Sequence, residues 1–368
     1  MPIAELAVWL QPLLTPRMGG VHGLSGQGIA DMAEKPRSFV SAQMVAEKAG
    51  VSRSAVSRTF TDGASVSDAT RRKVMSAARE LGYHVNHLAR GLIRDRSNIV
   101  CLVVSDITTP LRAQMVNVLT RKLQAIEKVA LVINTEGDGE SVAGALRQAL
   151  NYRADATVVL SGTPSASLVE TSIANGQRVV LINRDDHLEG SENLAVGNET
   201  AAREAFFLLQ RAGCKRLVAV SSEAGTPSLV AREEAFVAAA KDAGVTATVV
   251  RAGPTTYDSG IEAARRVFAS SKGPDGVFCV TDLIALGFMD AARQEFRLRI
   301  PEDLCVVGFD DIEQAQWESY KLTTFRQPVE QMGDHVAALL SGRVLPSDAR
   351  TVFEPTPVWR RSVRPNAG

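Results

Sequence analysis

Two groups of residues in this chain have types and spacing suited to chemistry. The first lies in "VAEKAGVSRSAVSRTF", Val45–Phe60, where Arg53, Ser54, Ser57 and Arg58 occur on a segment with little apolar surface of its own. If that segment is helical, Val56 and Phe60 turn inward and the four polar residues share the opposite face. A guanidinium fork matches O6 and N7 of guanine together, while a hydroxyl suits a phosphate oxygen. The second group is spread along the chain, just after short apolar runs: Asp106, Asn134, Ser161, Asn183 and Arg184, then Ser221, Ser222, Thr281, Asp282, Asp310 and Asp311. These are hydrogen-bonding groups with few aromatics, as a small polar ligand requires.

The first group needs a rigid support, and local signals supply one. Ser41 can cap a helix that carries Met44, Val45 and Ala49 inward and stops at Gly50. Ser52 can cap a second helix, with Val51 and Val56 as a hydrophobic staple. In "VSDATRRKVMSAARELGY", Ser67 caps a third, whose inward stripe is Val74, Ala77, Ala78 and Leu81 and whose stop is Gly82. Two short helices on a tight turn, with a third to close a core, fit a helix-turn-helix whose second helix enters the major groove. The bland alternative is a helical hairpin with a solvated charged face. Charge favours the former. Residues 36–98 hold eleven Lys+Arg against five Asp+Glu, whereas the whole chain has 41 of each. Basic charge is therefore concentrated on one small domain, the footprint of a nucleic-acid binder.

The second group needs strands. At 368 residues and 45% hydrophobic, the chain is long enough for two or three domains. From Ile99 onward, IVCLVV, ALVIN, TVVL and RVVLI alternate with helix-length segments, followed by RLVAV, TVV, VFCV and LCVVGF. Such alternation implies two doubly wound parallel sheets with ligands at the carboxyl ends of their strands. No apolar run is long enough to span a membrane. Cys101, Cys214, Cys279 and Cys305 show no metal spacing and read as reduced core residues of a cytosolic protein. No cofactor is expected. The first 35 residues, rich in Pro and Gly, lack a basic leader and read as a mobile extension, or as residues upstream of a true start at Met32.

Several of these stretches, in order, resemble the lactose-repressor family (LacI/GalR-type regulators). They are "AGVSRSAVSRTF", "VSDATRRKVMSAARELGY", "VNHLARGLIRDRSNIV", "VFCVTDLIALGFMDAARQ", "RIPEDLCVVGFDDIE" and "LTTFRQPVEQMG". The resemblance spans about residues 38–362. It implies a small all-α helix-turn-helix headpiece plus an α/β core, with two doubly wound parallel-sheet lobes of periplasmic-binding-protein type. The expected domains are a headpiece at 36–85, a hinge helix and linker at 86–98, and an effector-binding and dimerisation core at 99–368. Crossovers near Gly197, Gln327 and Phe353 would divide the core into a first lobe (99–196, 328–352) and a second (197–327, 353–368).

Carried over, Arg53, Ser54 and Arg58 fall where the family reads bases, and Ser57 where it meets phosphate. Ala89 and Leu92 match the hinge positions that enter the minor groove, Leu92 as an apolar wedge. Val85 stands where proline is usual. Arg232 and Asp310 match effector-contacting positions, and Thr281 stands where asparagine is common. Asp282, after it, reads as a helix cap.

The expected function is a ligand-responsive repressor, not an enzyme, acting in the cytoplasm at the nucleoid. It should bind near-palindromic double-stranded operator DNA as a homodimer, and the tail after Gly342 has no leucine heptads for a tetramer-forming helix. A transporter's solute-binding protein shares the core but would carry an export signal and no headpiece; an enzyme on the same fold would need catalytic groups that do not cluster here. The stretch "TTPLR" replaces the family's two aromatics with Leu111 and Arg112. With Arg184 and Arg232 that would set three arginines against Asp310, so the expected effector is a sugar acid, another small organic acid or a phosphorylated sugar.

Overall fold

The computed structural model describes residues 39–61, 63–85, 96–162, 164–183, 189–269, 273–345 and 350–365. The expected extension over 1–35, the hinge positions Ala89 and Leu92, and Arg184 fall outside them. The chain divides into two compact units at Asn86/His87.

The smaller unit is a three-helix domain: α1 (Ala42–Ala49), α2 (Arg53–Thr59) and α3 (Asp68–Leu81). Ser41, Ser52 and Ser67 each accept a hydrogen bond from the backbone N–H three residues on. α1 and α3 both stop at a glycine with positive φ, Gly50 at 64° and Gly82 at 66°, a conformation that costs other residues a Cβ clash. The core is Val45, Ala46, Val56, Val74, Ala77 and Ala78, with Val51, Phe60, Leu81 and Tyr83 packed around it. Met44 is a correction. It is 43% exposed, and Ala46 takes its expected place inside. On an eight-residue helix pressed against two neighbours, the buried arc passes through 45, 46 and 49, leaving 44 on the flank.

The larger unit holds two parallel sheets. The first is built from β1 (Ile99–Ser105), β2 (Val129–Thr135), β3 (Ala156–Val159), β4 (Arg178–Ile182), β5 (Glu192–Val196) and a late strand, β11 (Thr351–Phe353), in the order β11-β5-β4-β3-β1-β2. Helices α4 (Pro110–Gln124), α5 (Gly139–Asn151) and α6 (Ala166–Ala174) connect its early strands. The second sheet has the order β7-β6-β8-β9, from β6 (Leu217–Ser221), β7 (Ala247–Arg251), β8 (Gly276–Cys279) and β9 (Cys305–Val307). Around it lie α7 (Asn198–Arg211), α8 (Pro227–Asp242), α9 (Tyr257–Phe268) and α10 (Asp282–Gln294). A short antiparallel pair, β10 (Thr324–Arg326) with β12 (Thr356–Val358), completes this lobe. α11 (Val329–Leu340) returns to pack on α4 of the first lobe. Both lobes therefore contain early and late segments of the chain.

Covering both sheet faces explains the near-continuous apolar strands: β1 is buried from Val100 to Ser105 and β8 throughout. β5 has no such run, because Glu192 and Asn193 are polar yet only 5% and 2% exposed.

Candidate nucleic-acid interface and effector cleft

On α2 the side chains divide cleanly. Val56 is fully buried, and Thr59 is buried with its hydroxyl donating to the Ala55 carbonyl at 2.8 Å. Arg71 from α3 donates to the Thr59 carbonyl at 3.1 Å, satisfying an acceptor at the helix end. Arg53, Ser54, Ser57 and Arg58 are all exposed, as the periodicity requires. Arg58 Nε makes a long bond to the Ser54 carbonyl (3.4 Å), and the Ser54 hydroxyl lies 2.9 Å from that of Ser52. Among the described residues Arg53 has no hydrogen-bond or ion-pair partner. The face presents cationic and hydroxyl groups whose hydrogen-bonding capacity is largely unspent.

The cleft between the two lobes of the larger unit has a volume of about 600 Å³. Ser105, Asp106, Leu111, Arg112, Ser161 and Asn183 line it from the first lobe; Arg232, Thr255, Thr281, Asp310 and Gln327 line it from the second. Most stand at carboxyl ends of strands. The turn after β1 is fixed by Asp106, at φ 48°, whose carboxylate accepts from the Thr108 and Thr109 hydroxyls at 2.6 Å each. Those bonds hold its pKa below the ordinary value. Arg112 donates to the Ser105 carbonyl at 2.9 Å and lies 3.6 Å from Asp106.

Arg232, only 2% exposed, is more firmly held. Its Nε donates to Asn198 Oδ1 at 2.8 Å and its Nη1 to the Val280 carbonyl at 2.7 Å, with Asp310 at 3.5 Å and the Phe309 ring face 3.5 Å below the guanidinium. Burial lowers its pKa to about 10, against the pull of Asp310 and Asp282, so it stays charged. Asp310 also accepts from Gln327 Nε2 at 2.7 Å; burial pushes its pKa up to about 6, opposed first by Arg232. Behind it sits Asp282, fully buried, accepting from the Thr324 hydroxyl (2.5 Å) and the Ile312 N–H (3.0 Å). Burial, then repulsion from Asp310, raises Asp282 as well. A Cβ on Gly308 would fall 2.2 Å from Asp282 Oδ1, so only glycine leaves this carboxylate its place.

A model of bacterial regulatory proteins of the lacI family matches residues 43–86, and one of periplasmic binding protein-like domains matches residues 208–363. The transcriptional regulator CelR of Thermobifida fusca is 31% identical, over 82% of this chain and 91% of its own length. The chain belongs to the LacI family. The transcriptional repressor CytR of Escherichia coli is 27% identical over 84% of this chain and 91% of that protein. A lac repressor dimer bound to operator and an anti-inducer superposes with TM-score 0.79, at 22% identity, over 89% of this chain and all of that one. A CelR–cellobiose complex superposes at 0.64, with 26% identity over 88% and 99%.

As a LacI-family member the protein is a DNA-binding transcriptional regulator rather than an enzyme, on the expected fold of helix-turn-helix headpiece and two parallel-sheet lobes. Two expectations about the cleft need correction. First, Asp282 does not cap α10. Thr281 does, its hydroxyl accepting from the Ile284 N–H at 3.4 Å, and the Asp282 carboxylate turns inward instead. Second, Asn134 is not beyond its strand but within β2, where its Oδ1 accepts from the Ile107 N–H at 3.3 Å. Of the three arginines expected to face Asp310, Arg184 lies outside the described residues, while Arg232 is met by Asp310, Asn198 and a carbonyl and Arg112 by Asp106 and the Ser105 carbonyl.

Arg112, Arg232, Thr281 and Asp310 do line one cleft. Asp311 turns away to meet Arg326 (2.6 Å) and Arg360 (2.5 Å). Reading the sequence missed Asn198, Phe309 and Gln327 as parts of this site. The family resemblance placed a crossover near Gln327, but its adjacency to Asp310 emerges only from the bridge between Asp310 and Arg326. Among the described residues no helix is long and apolar enough to cross a membrane, and no group of three His, Cys, Asp or Glu could hold a metal.

Proposed function

We propose that this protein is a transcriptional repressor that binds a near-palindromic operator as a homodimer, its affinity set by a small hydroxyl-rich, carbohydrate-like effector held between the lobes. On this reading Arg53, Ser54 and Arg58 read base edges from the major groove, Ser57 positions the helix on a phosphate, and Ala89 and Leu92 serve the minor groove. Arg112, Arg232, Thr281 and Asp310 contact the effector. The names of CytR and of the lac repressor, and the cellobiose of the CelR complex, favour a repressor with a sugar-like ligand.

The observation that supports this effector class is the charge balance among the described residues of the cleft. Arg232 already spends its Nε and Nη1 within the protein, and Arg112 has a carboxylate beside it. An added anion would have to displace those partners or meet Asp106 and Asp310. A neutral polyol would instead use what remains: carboxylate lone pairs of Asp106 and Asp310, hydroxyls of Ser105, Ser161 and Thr255, and Gln327 Oε1, which is buried with no hydrogen-bond partner. No aromatic ring lines the cleft among the described residues, so hydrogen bonds rather than stacking would select the ligand.

A thermal-shift panel of neutral sugars, sugar acids and sugar phosphates tests this. A bound ligand at ~100 times its dissociation constant stabilises the fold by roughly 2.7 kcal/mol. Neutral sugars should raise the melting temperature and their acid and phosphate derivatives should not. If only anionic members raise it, the charge-balance reading is wrong.

A further inference from the structure

Away from the cleft, at the amino-terminal edge of the second lobe's sheet, two cysteines and an arginine meet. Cys305 opens β9, and its ladder partner on β8 is Gly276. Cys214, in the turn between α7 and β6, drops its side chain into the space glycine leaves: a Cβ on Gly276 would lie 2.8 Å from Cys214 Cβ and 3.0 Å from its Sγ. Side chains paired across a parallel ladder point to the same face, with strands about 4.8 Å apart. Cys214 thus occupies the neighbouring place to Cys305; its thiol donates to the Asp275 carbonyl at 3.2 Å, and that of Cys305 makes a long bond to the Pro301 carbonyl at 3.8 Å. Arg364 lies across both sulfurs. Its backbone N–H donates to Cys305 Sγ at 3.4 Å and its Nη2 to Cys214 Sγ at 3.2 Å, while Nε and Nη1 hold the carbonyls of Ala212, Pro301 and Glu302.

We propose that Cys214 and Cys305 form a reversible oxidation site, a dithiol that a hydroperoxide converts to a disulfide under the cover of Arg364. Cys305 as thiolate attacks the terminal peroxide oxygen; an S–O bond forms, the O–O bond breaks, and the departing oxygen takes up a proton. Cys214 then attacks the sulfenic sulfur, losing its proton as the S–O bond breaks and water leaves. Two thiols are oxidised by two electrons, and one hydrogen peroxide is reduced to two waters. Cys305 is the nucleophile because its sulfur accepts the Arg364 backbone N–H at 3.4 Å, which favours the thiolate and agrees with its lowered pKa, while the Cys214 thiol donates its proton to the Asp275 carbonyl at 3.2 Å and its pKa is raised. Cys101 and Cys279 are the internal contrast. Both are buried in the sheets, with pKa raised by burial, to about 11 for Cys101. The pair itself is 5% and 0% exposed, so on this proposal peroxide enters by local opening of the irregular segment that carries Arg364, residues 362–365.

The test treats the full chain, folded, with dilute hydrogen peroxide, followed by alkylation and peptide mass spectrometry. The expected result is a peptide linking Cys214 to Cys305, loss of two of the four thiols, recovery with dithiothreitol, and Cys101 and Cys279 untouched. Cys214→Ser should leave Cys305 as sulfenic and then sulfinic acid. Arg364→Gln, which keeps both thiols, should slow the linkage severalfold and move its rate profile to higher pH. The proposal is overturned if both thiols remain alkylatable, if the link forms only in denaturant, if Cys305 of the unaltered chain ends as sulfinic acid, or if Arg364→Gln reacts at the original rate.

Discussion

The headpiece and the core both carry arginine at their candidate sites, and they treat it in opposite ways. On α2, Arg53 and Arg58 stand in solvent with at most one weak internal bond. In the cleft, Arg232 is buried and held by an amide, a carbonyl, a carboxylate and an aromatic face. The contrast follows from the partner each must meet. A duplex brings its own negative charge and releases counterions when cations approach, so exposed arginine gains from binding without any cost of burial. A cleft for a small ligand must exclude water, and a buried cation without an internal counter-charge would cost several kcal/mol. The first arrangement keeps recognition separate from stability; the second merges them.

The largest expected effect comes from breaking the merged site. Arg232→Met removes the cation and leaves Asp310 buried beside Asp282, so stability should fall by about 3–5 kcal/mol. Chemical denaturation measures it, and a loss below about 1 kcal/mol would mean the pair is not load-sharing. On α2 the outcome should be reversed. Arg53→Ala should leave the melting temperature unchanged yet weaken the preferred operator by about 1–3 kcal/mol relative to the same site altered at one base pair. An equal loss on operator and random DNA would remove Arg53 from base reading.

A pH series sharpens the comparison. Asp310 and Asp282 both have folded pKa values above the ordinary carboxylate value, so between that value and the folded one the native state holds more protons than the unfolded chain. Stability contributed by the protonated pair is therefore present at acid pH and lost as pH rises through about 6 for Asp310 and about 8 for Asp282. The melting temperature should decline over that window, and the decline should flatten in Asp282→Asn. A curve that rises instead would contradict the burial assigned to the pair. The headpiece offers the smallest effect: Met44→Lys, on the exposed flank of α1, should change stability by no more than about 0.5 kcal/mol.

The two regions also differ in how far their sequences could be read. Headpiece structure follows from local signals. Ser41, Ser52 and Ser67 cap within three residues, Gly50 and Gly82 stop the helices they follow, and the outward face of α2 comes from its period alone. Met44 escaped because an eight-residue helix has two flanks and only tertiary contact chooses between them. Strands with continuous apolar runs were equally plain, whereas β5 was hidden by buried Glu192 and Asn193. The cleft was legible as a set of positions but not as a circuit. That Thr281 rather than Asp282 caps α10, and that Asp282 reaches Thr324 and Ile312, depends on segments some 30 to 42 residues away meeting across a sheet. The internal partners of Arg232 were hidden for the same reason: Asn198, Val280 and Phe309, which hold it, lie 34, 48 and 77 residues from it.

The central claim is that one chain couples a cleft ligand to DNA affinity, and fluorescence anisotropy tests it most directly. A palindromic duplex selected from a random pool is titrated with the full chain, with and without a sugar that raises its melting temperature. The expected result is a shift in operator Kd of at least about fivefold, the lower end of ordinary allosteric coupling, which Asp310→Asn, measured under conditions where that variant is still folded, abolishes. A sugar that stabilises the fold through Asp310 yet leaves the operator Kd unchanged would contradict it.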